Sequence, residues 1–442
     1  MADRFTFTRN TFPKDFLFGV ATSAYQIEGS QYGGCGPSHW DTFAATPGNT
    51  KNAENGAIAC DHYHRFEADL DIISGAGLDH YRFSVSWARV MPDGLTVNSR
   101  GLDFYDRLTD AILARGIKPM LTLHHWDLPA ALSDVGGWRN RDIADRFAEL
   151  TRHVADRIGD RMWATGTFNE PWCTTWLSHF HGMHAPGLRD IRATARAIHH
   201  LLLAHTKSIA VMRDSGMDNL GIYLNFEPAQ PAAETQSSKA AAERYHAYYN
   251  ECFLEPLMGR GYPELILNGI EPHLPNGWED DVSSFAAPLD WLGINNYTRK
   301  LIDDDGTDVW PNFKEVPGPL PKTEMDWEVS PDTFEWLLNW VGEKTNGLPL
   351  YISENGMAGP DVIVEETITD PWRIDFIDQH IHATKRAMDS GTNIKGYTVW
   401  SLLDNYEWSL GYEKRFGIVY VDYDTLERTP KASWHALKAA LT

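Results

Sequence analysis

The stretch WATGTFNEP, residues 163–171, runs largely apolar from Trp163 to Phe168 and then ends on a carboxamide, a carboxylate and a proline. A strand that merely left a core would end in turn formers such as Gly, Ser or Asp. Asn169 and Glu170 stand instead where a buried strand would aim side chains into a pocket, and Pro171 stops the ladder by removing an N–H. The plain alternative is a loop whose Asn and Glu point at water. One glutamate does not decide between them, so the rest of the chain must.

Seven other runs share the strand-like character of 163–169. They are FLFGVATSAY (16–25), HYRFSVSW (80–87), IKPMLTLHH (117–125), LGIYLNF (220–226), DWLGINNY (290–297), LPLYISE (348–354) and IKGYTVWSL (394–402). Between them lie helix-period segments at 61–77, 102–116, 141–159, 191–216, 330–347 and 375–391, several ending in the glycine that stops helices. Alternation of this kind is the βαβ signature of a parallel sheet. Eight such units predict an α/β fold, a single (β/α)₈ TIM barrel with elaborated βα loops. No Gly/Ser or Pro linker divides the chain, so one domain over 1–442 is expected. The longest irregular stretch, 303–327, is expected to form a lid or wall of the site.

Composition narrows the function. The chain has 442 residues, 43% hydrophobic and 23% charged, as an ordinary globular protein does. A net charge of −22 argues against nucleic acid or an anionic membrane as partner. MADRFTFTRNTFPKDF has no apolar signal core, and no window approaches the roughly 18 apolar residues of a spanning helix. A cytoplasmic protein acting on a small neutral or cationic ligand is the expectation, with homo-oligomerisation left open. Cys35, Cys60, Cys173 and Cys252 form no C-x-x-C pair and are expected as free thiols, although a Cys35–Cys60 disulfide stays open. The 17 Trp, 17 Tyr and 19 Phe supply flat faces of the kind that cover sugar rings as well as cores.

A barrel gathers its site at the C-terminal strand ends. Those ends carry Gln26 and Glu28, Arg82 and Trp87, His124-His125-Trp126-Asp127, Asn169-Glu170, Asn295-Asn296-Tyr297, Glu354-Asn355, and Trp400 with Asp404, Glu407 and Trp408. Glu170 and Glu354 both follow strands of buried type, and two carboxyl groups are the minimum for glycoside hydrolysis. One must stay protonated and the other ionised, so their surroundings must differ. Arg82 is placed to keep Glu354 charged, and Asn169 to hold a substrate hydroxyl beside Glu170.

TFNEP (167–171) and ISENG (352–356), with QIEG (26–29), HWDLP (125–129), HAPG (184–187), GINNYT (293–298) and WSLLDNYEW (400–408), occur in the order found in glycoside hydrolase family 1. The chain resembles that family, the retaining β-glucosidases, from about Phe16 to about Trp434. The resemblance implies Glu170 as acid/base and Glu354 as nucleophile. It implies Gln26, His125, Trp126, Asn169, Trp400, Glu407 and Trp408 around the bound sugar. Arg82, Asn295 and Tyr297 would position Glu354, and Trp327 would form the aromatic wall for the leaving group. Asn296 departs from the family's usual N-Y-Y, with little loss expected. Glu170, rather than Gln, points to ordinary O-glycosides, and Glu407 would repel a 6-phosphate.

The implied substrate is a small β-glucoside, with no metal or organic cofactor. The same chemistry with β-galactosidase or β-fucosidase preference is the nearest rival, because a few hydrogen bonds decide between epimers. A carbohydrate-binding barrel without catalysis would lack a carboxylate. His179, His181 and His184 in SHFHGMH invite a metal reading, but their spacing is not the usual zinc pattern. Of His124 and His125 only one can face the pocket, because adjacent strand residues point opposite ways. The family match selects His125.

Overall fold

The structure, a computed structural model, describes residues 4–364 and 367–442. All eight expected strands are present: β1 (Leu17–Ala21), β2 (His80–Ser84), β3 (Lys118–His124), β4 (Ala164–Asn169), β5 (Leu220–Asn225), β6 (Trp291–Asn295), β7 (Leu350–Asn355) and β8 (Ile394–Trp400). They close into a barrel in the order β1-β8-β7-β6-β5-β4-β3-β2. The seam is parallel, with Leu17 opposite Gly396 and Ala21 opposite Trp400. Every strand is followed by a covering helix: α1 (His62–Gly75), α2 (Ser99–Ala114), α3 (Ile143–Ile158), α4 (Ile191–Asp214), α5 (Gln236–His246), α6 (Pro331–Lys344), α7 (Pro371–Asp389) and α8 (Ala432–Leu441). This is the (β/α)₈ barrel. Among the described residues no helix is long and apolar enough to cross a membrane.

The local reasons are visible in the residues. In α3 the buried positions Ile143, Phe147, Leu150, Val154 and Ile158 recur every three to four residues, which is one helix face against the barrel. β2 and β4 are buried along their whole length, as parallel strands covered on both sides must be. Inside the barrel, small residues make room for large ones. A β-carbon at Gly166 would lie 2.2 Å from the Tyr223 ring, so only glycine fits there. Tyr223 in turn lies under the Arg82 guanidinium at 3.8 Å, and through that contact the packing of the barrel reaches the site.

The expectation of an irregular 303–327 needs correction. Lys300–Asp303 pairs in parallel with Ala229–Pro231 and antiparallel with Lys314–Val316, making a small three-stranded sheet outside the barrel. Strands of three or four residues carrying Lys, Glu, Gln and Pro give no periodic signal, which is why the sequence hides them. The segment still forms a wall, since Phe313, Glu315, Met325 and Trp327 line the central cavity.

Past β8 the loop holding Glu407 is anchored from below. Buried Asp404 accepts hydrogen bonds from the Gly417 amide at 3.0 Å, Arg415 Nη1 at 2.8 Å and Lys431 Nζ at 2.7 Å. A carboxylate removed from water needs that many donors to offset its lost hydration. All four cysteines are free, so Cys35 and Cys60 are not bonded.

Candidate active site

A cavity of about 480 Å³ opens over the C-terminal strand ends. Its wall includes His125, Trp126, Asn169, Glu170, Asn295, Tyr297, Trp327, Glu354, Trp400, Glu407 and Trp408, so eleven of the thirteen expected residues meet on one surface. Arg82 and Gln26 stand behind it. Arg82 is fully buried, as a supporting residue would be. Gln26 is also buried, and its carboxamide is tied down by Ser23 Oγ, Asn405 Oδ1 and the Tyr406 carbonyl. It therefore backs the loop that carries Glu407 rather than forming the cavity wall.

Glu354, on β7, receives Arg82 Nη1 on Oε1 and the Tyr297 hydroxyl on Oε2, each at 2.5 Å. Arg82 Nη2 reaches across to Asn169 Oδ1 at 2.7 Å and so joins β2, β4 and β7. Asn295 Nδ2 donates to Glu170 Oε1 at 2.8 Å and to Asn169 Oδ1 at 2.9 Å. Its own Oδ1 accepts from Ser353 Oγ at 2.6 Å, which fixes the amide orientation.

Burial and the neighbouring charge of Glu354 raise the Glu170 carboxyl to about 8. Burial pushes Glu354 upward as well, but the Arg82 guanidinium and the Tyr297 hydroxyl pull it back. Of this coupled pair Glu354 therefore ionises first, leaving the proton on Glu170. That division suits two carboxyl groups that must play different parts.

The wall around His125 and Glu407 has its own unpartnered groups. Asn169 Nδ2 lies 3.1 Å from His125 Nε2. Because Asn169 Oδ1 already accepts two donors, its amide must donate here, so the His125 proton sits on Nδ1. Burial and then Arg82 hold this imidazole well below its ordinary value, hence neutral. Among the described residues, buried His125 Nδ1, a donor, and the Glu407 carboxyl oxygen Oε2 find no protein partner on the same wall. The Trp400 and Trp408 rings lie nearly parallel to the His125 ring, at 5.7 and 6.1 Å.

Burial first, and then Glu354 and Glu170, raise Glu407 to about 8 against an ordinary 4.5. A carboxyl raised in the folded state adds stability that is complete below 4.5 and lost as pH climbs through 8. Glu407→Gln carries no such loss. Its melting temperature is expected to pull ahead of the wild type's as pH rises from 4.5 to 8, measured by calorimetry. A constant gap across that range would contradict the assignment.

Backbone strain collects at the same place. Four bulky non-glycine residues in the described chain adopt a left-handed backbone: Trp126 (φ 78°), Glu170 (φ 47°), Trp408 (φ 52°) and Leu426 (φ 59°). Three of them line the cavity. Such residues cost about 1–3 kcal/mol each and persist where the surroundings impose them.

The three histidines of 178–184 go separate ways. His179 bonds the Thr174 carbonyl, His181 the Tyr248 hydroxyl, and the His184 ring packs between Trp40 and Trp126. His124 turns into the core against Trp138 and Phe168, opposite His125. Asn296 is buried and bonds the Phe226 and Thr298 carbonyls, away from the cavity wall. Sequence reasoning missed Cys173, Asn225, Glu227 and Lys300, which all line the cavity. Asn225 closes β5, the one strand end left out of the sequence survey.

A (β/α)₈ barrel that sets two unequally ionising carboxyl groups in an aromatic cavity defines a glycoside hydrolase. The chain belongs to glycosyl hydrolase family 1, whose model matches residues 8–441. It is 45% identical over 432 residues to beta-glucosidase A of Thermotoga maritima, covering 96% of this chain and 97% of that one. It is 45% identical over 433 residues to the 1,4-beta-D-glucan glucohydrolase of Thermotoga neapolitana, covering 96% and 97%. The solved beta-glucosidase from Thermotoga maritima in complex with deoxynojirimycin superposes with a TM-score of 0.94 at 44% identity, covering 98% of this chain and 99% of that one.

Proposed function

We propose that this family 1 enzyme is a retaining β-glucosidase that removes terminal β-D-glucosyl residues from small glucosides such as cellobiose and aryl glucosides. The observation that carries the reading is the division between its carboxyl groups. Glu354 is gripped by the Arg82 guanidinium and the Tyr297 hydroxyl. Buried Glu170 meets, among the described residues, only the Asn295 amide and the Cys173 thiol, surroundings that favour its protonated form. Glu354 attacks the anomeric carbon as the glycosidic bond breaks, and Glu170 gives its proton to the departing oxygen. Glu170, now a carboxylate, then takes a proton from the water that displaces Glu354 from the sugar. Two displacements at one carbon return the β-configuration. Neither step calls for a metal or an organic cofactor.

The remaining residues hold the substrate. His125 Nδ1 donates to one sugar hydroxyl and the Glu407 carboxyl bonds another, while Asn169 holds the hydroxyl nearest Glu170. Trp400 and Trp408 cover the ring, Trp126 supports them, and Trp327 faces the leaving group. Gln26 braces Glu407 through the Tyr406 carbonyl. The names of the relatives support glucose as the sugar.

Rates on the p-nitrophenyl β-glucoside, β-galactoside, β-fucoside and 6-phospho-β-glucoside test the reading, with NMR following the first sugar released. The glucoside is expected to react fastest and to release β-glucose. Its kcat/KM should fall as pH rises through about 8, where Glu170 loses its proton. A faster galactoside would keep the mechanism and change the sugar. α-Glucose as first product would overturn the mechanism.

A further inference from the structure

The acid/base reading leaves open which oxygen of Glu170 carries the proton, and the structure holds each oxygen differently. Asn295 Nδ2 donates to Oε1. Its orientation is locked by Ser353, so Oε1 always faces a donor and serves as the carbonyl-like oxygen of the acid. The proton therefore belongs on Oε2. There the only side-chain partner among the described residues is the Cys173 thiol, with Sγ 3.1 Å away. Cys173 lies three residues after Glu170 in the chain and also lines the cavity. Its sulfur is itself steadied by Asn225 Nδ2 at 3.6 Å, an amide that also bonds the Tyr249 hydroxyl at 2.9 Å.

We propose that Cys173 is a positioning residue for the acid/base: its thiol holds Oε2 of Glu170 on the substrate side, in both protonation states, while leaving the proton free to transfer. A thiol suits the task because sulfur is a weak donor and a weak acceptor. While Glu170 is the acid, its O–H lies against sulfur, which competes poorly with a glycosidic oxygen for that proton. Once the proton has gone to the leaving group, the S–H turns to donate to the Oε2 carboxylate. When water then attacks the sugar, Oε2 takes its proton and the thiol turns back. No proton leaves sulfur in either step. Burial and the adjacent Glu170 hold the Cys173 thiol well above its ordinary value, so it stays protonated throughout.

A hydroxyl at this position would behave otherwise. Oxygen donates to a carboxylate more strongly than sulfur does, and it would stabilise the ionised form of Glu170. The titratable and charged groups facing Glu170 from the packed elements are Glu354, Arg82, Glu407, Tyr249 and Tyr297. None of them is altered by changing Cys173.

The experiment compares Cys173→Ser and Cys173→Ala with the wild type. The inference rests on Glu170 being the acid/base, so Glu170→Ala is assayed beside them on an activated dinitrophenyl glucoside and an unactivated alkyl glucoside. Cys173→Ser is expected to move the basic limb of kcat/KM to lower pH by about one unit, and Cys173→Ala to move it upward. On the alkyl glucoside both variants should lose rate, on the order of tenfold. On the dinitrophenyl glucoside, whose leaving group needs no proton, kcat/KM should stay within about twofold. A merely structural cysteine would lower both rates alike and leave the limb in place, and that result overturns the proposal. Unchanged rates and limbs in both variants overturn it too. If Glu170→Ala loses both substrates equally, the acid/base reading falls, and this proposal falls with it.

Discussion

Glu354→Gly is expected to lower kcat on a p-nitrophenyl β-glucoside by about 10⁵-fold, the scale seen when a covalent nucleophile is removed. Substrate binding should survive, because His125, Asn169, Glu407 and the tryptophans keep their places on the wall. The variant also vacates the space between Arg82 and Tyr297, leaving a fully buried guanidinium without its anion. A small anion is the natural occupant of such a space. Azide or formate is therefore expected to restore turnover, with azide giving α-glucosyl azide by a single displacement while Glu170 still protonates the leaving group. A variant that keeps the wild-type rate would remove Glu354 from the nucleophile's role. Rescue giving only the β-azide would do the same, because attack would then have come from the other face.

The barrel was legible because its signals repeat. Eight buried runs alternating with amphipathic helices leave little freedom, and their order around the barrel follows their order in sequence. The motif carboxylates were legible for a related reason: Glu170 and Glu354 each close such a run, so topology alone brings them to one mouth. What stayed hidden depends on contacts between segments distant in sequence. Nothing near Gln26 reveals that Asn405 and the Tyr406 carbonyl, some 380 residues on, take up its amide and hold it behind the wall. The accessory strands 229–231, 300–303 and 314–316 are too short and polar to show a period, yet they place Lys300 and Glu315 on the cavity. Cys173 opens a π-helical turn three residues after Glu170, whose own backbone is left-handed, so no helical period in the sequence ties the two together.

Glu170→Ala is expected to separate substrates by their leaving groups. Alkyl glucosides and cellobiose, whose departing oxygen needs a proton, should lose about 10³-fold in kcat/KM, within the range that general acid catalysis supplies. The dinitrophenyl glucoside should keep nearly all of its kcat/KM, because its leaving group departs unassisted. Its kcat should still fall, since the second step has lost the base that activates water, and KM should fall with it as the glucosyl-enzyme accumulates. Azide needs no base, so it should restore kcat and yield β-glucosyl azide, the mirror of the product expected from Glu354→Gly. The decline in kcat/KM above pH 8 should vanish, because the group that raises it is gone. Equal losses on all leaving groups would sink the assignment. Stability adds an independent check. Glu170 holds φ at 47°, and Ala in its place keeps the β-carbon that makes this backbone unfavourable. Glu170→Gly removes it, so the glycine variant should be the more stable by about 1 kcal/mol, a gap readable by urea unfolding. If alanine proves equal or better, the left-handed turn is not a strain held for the sake of the carboxyl group.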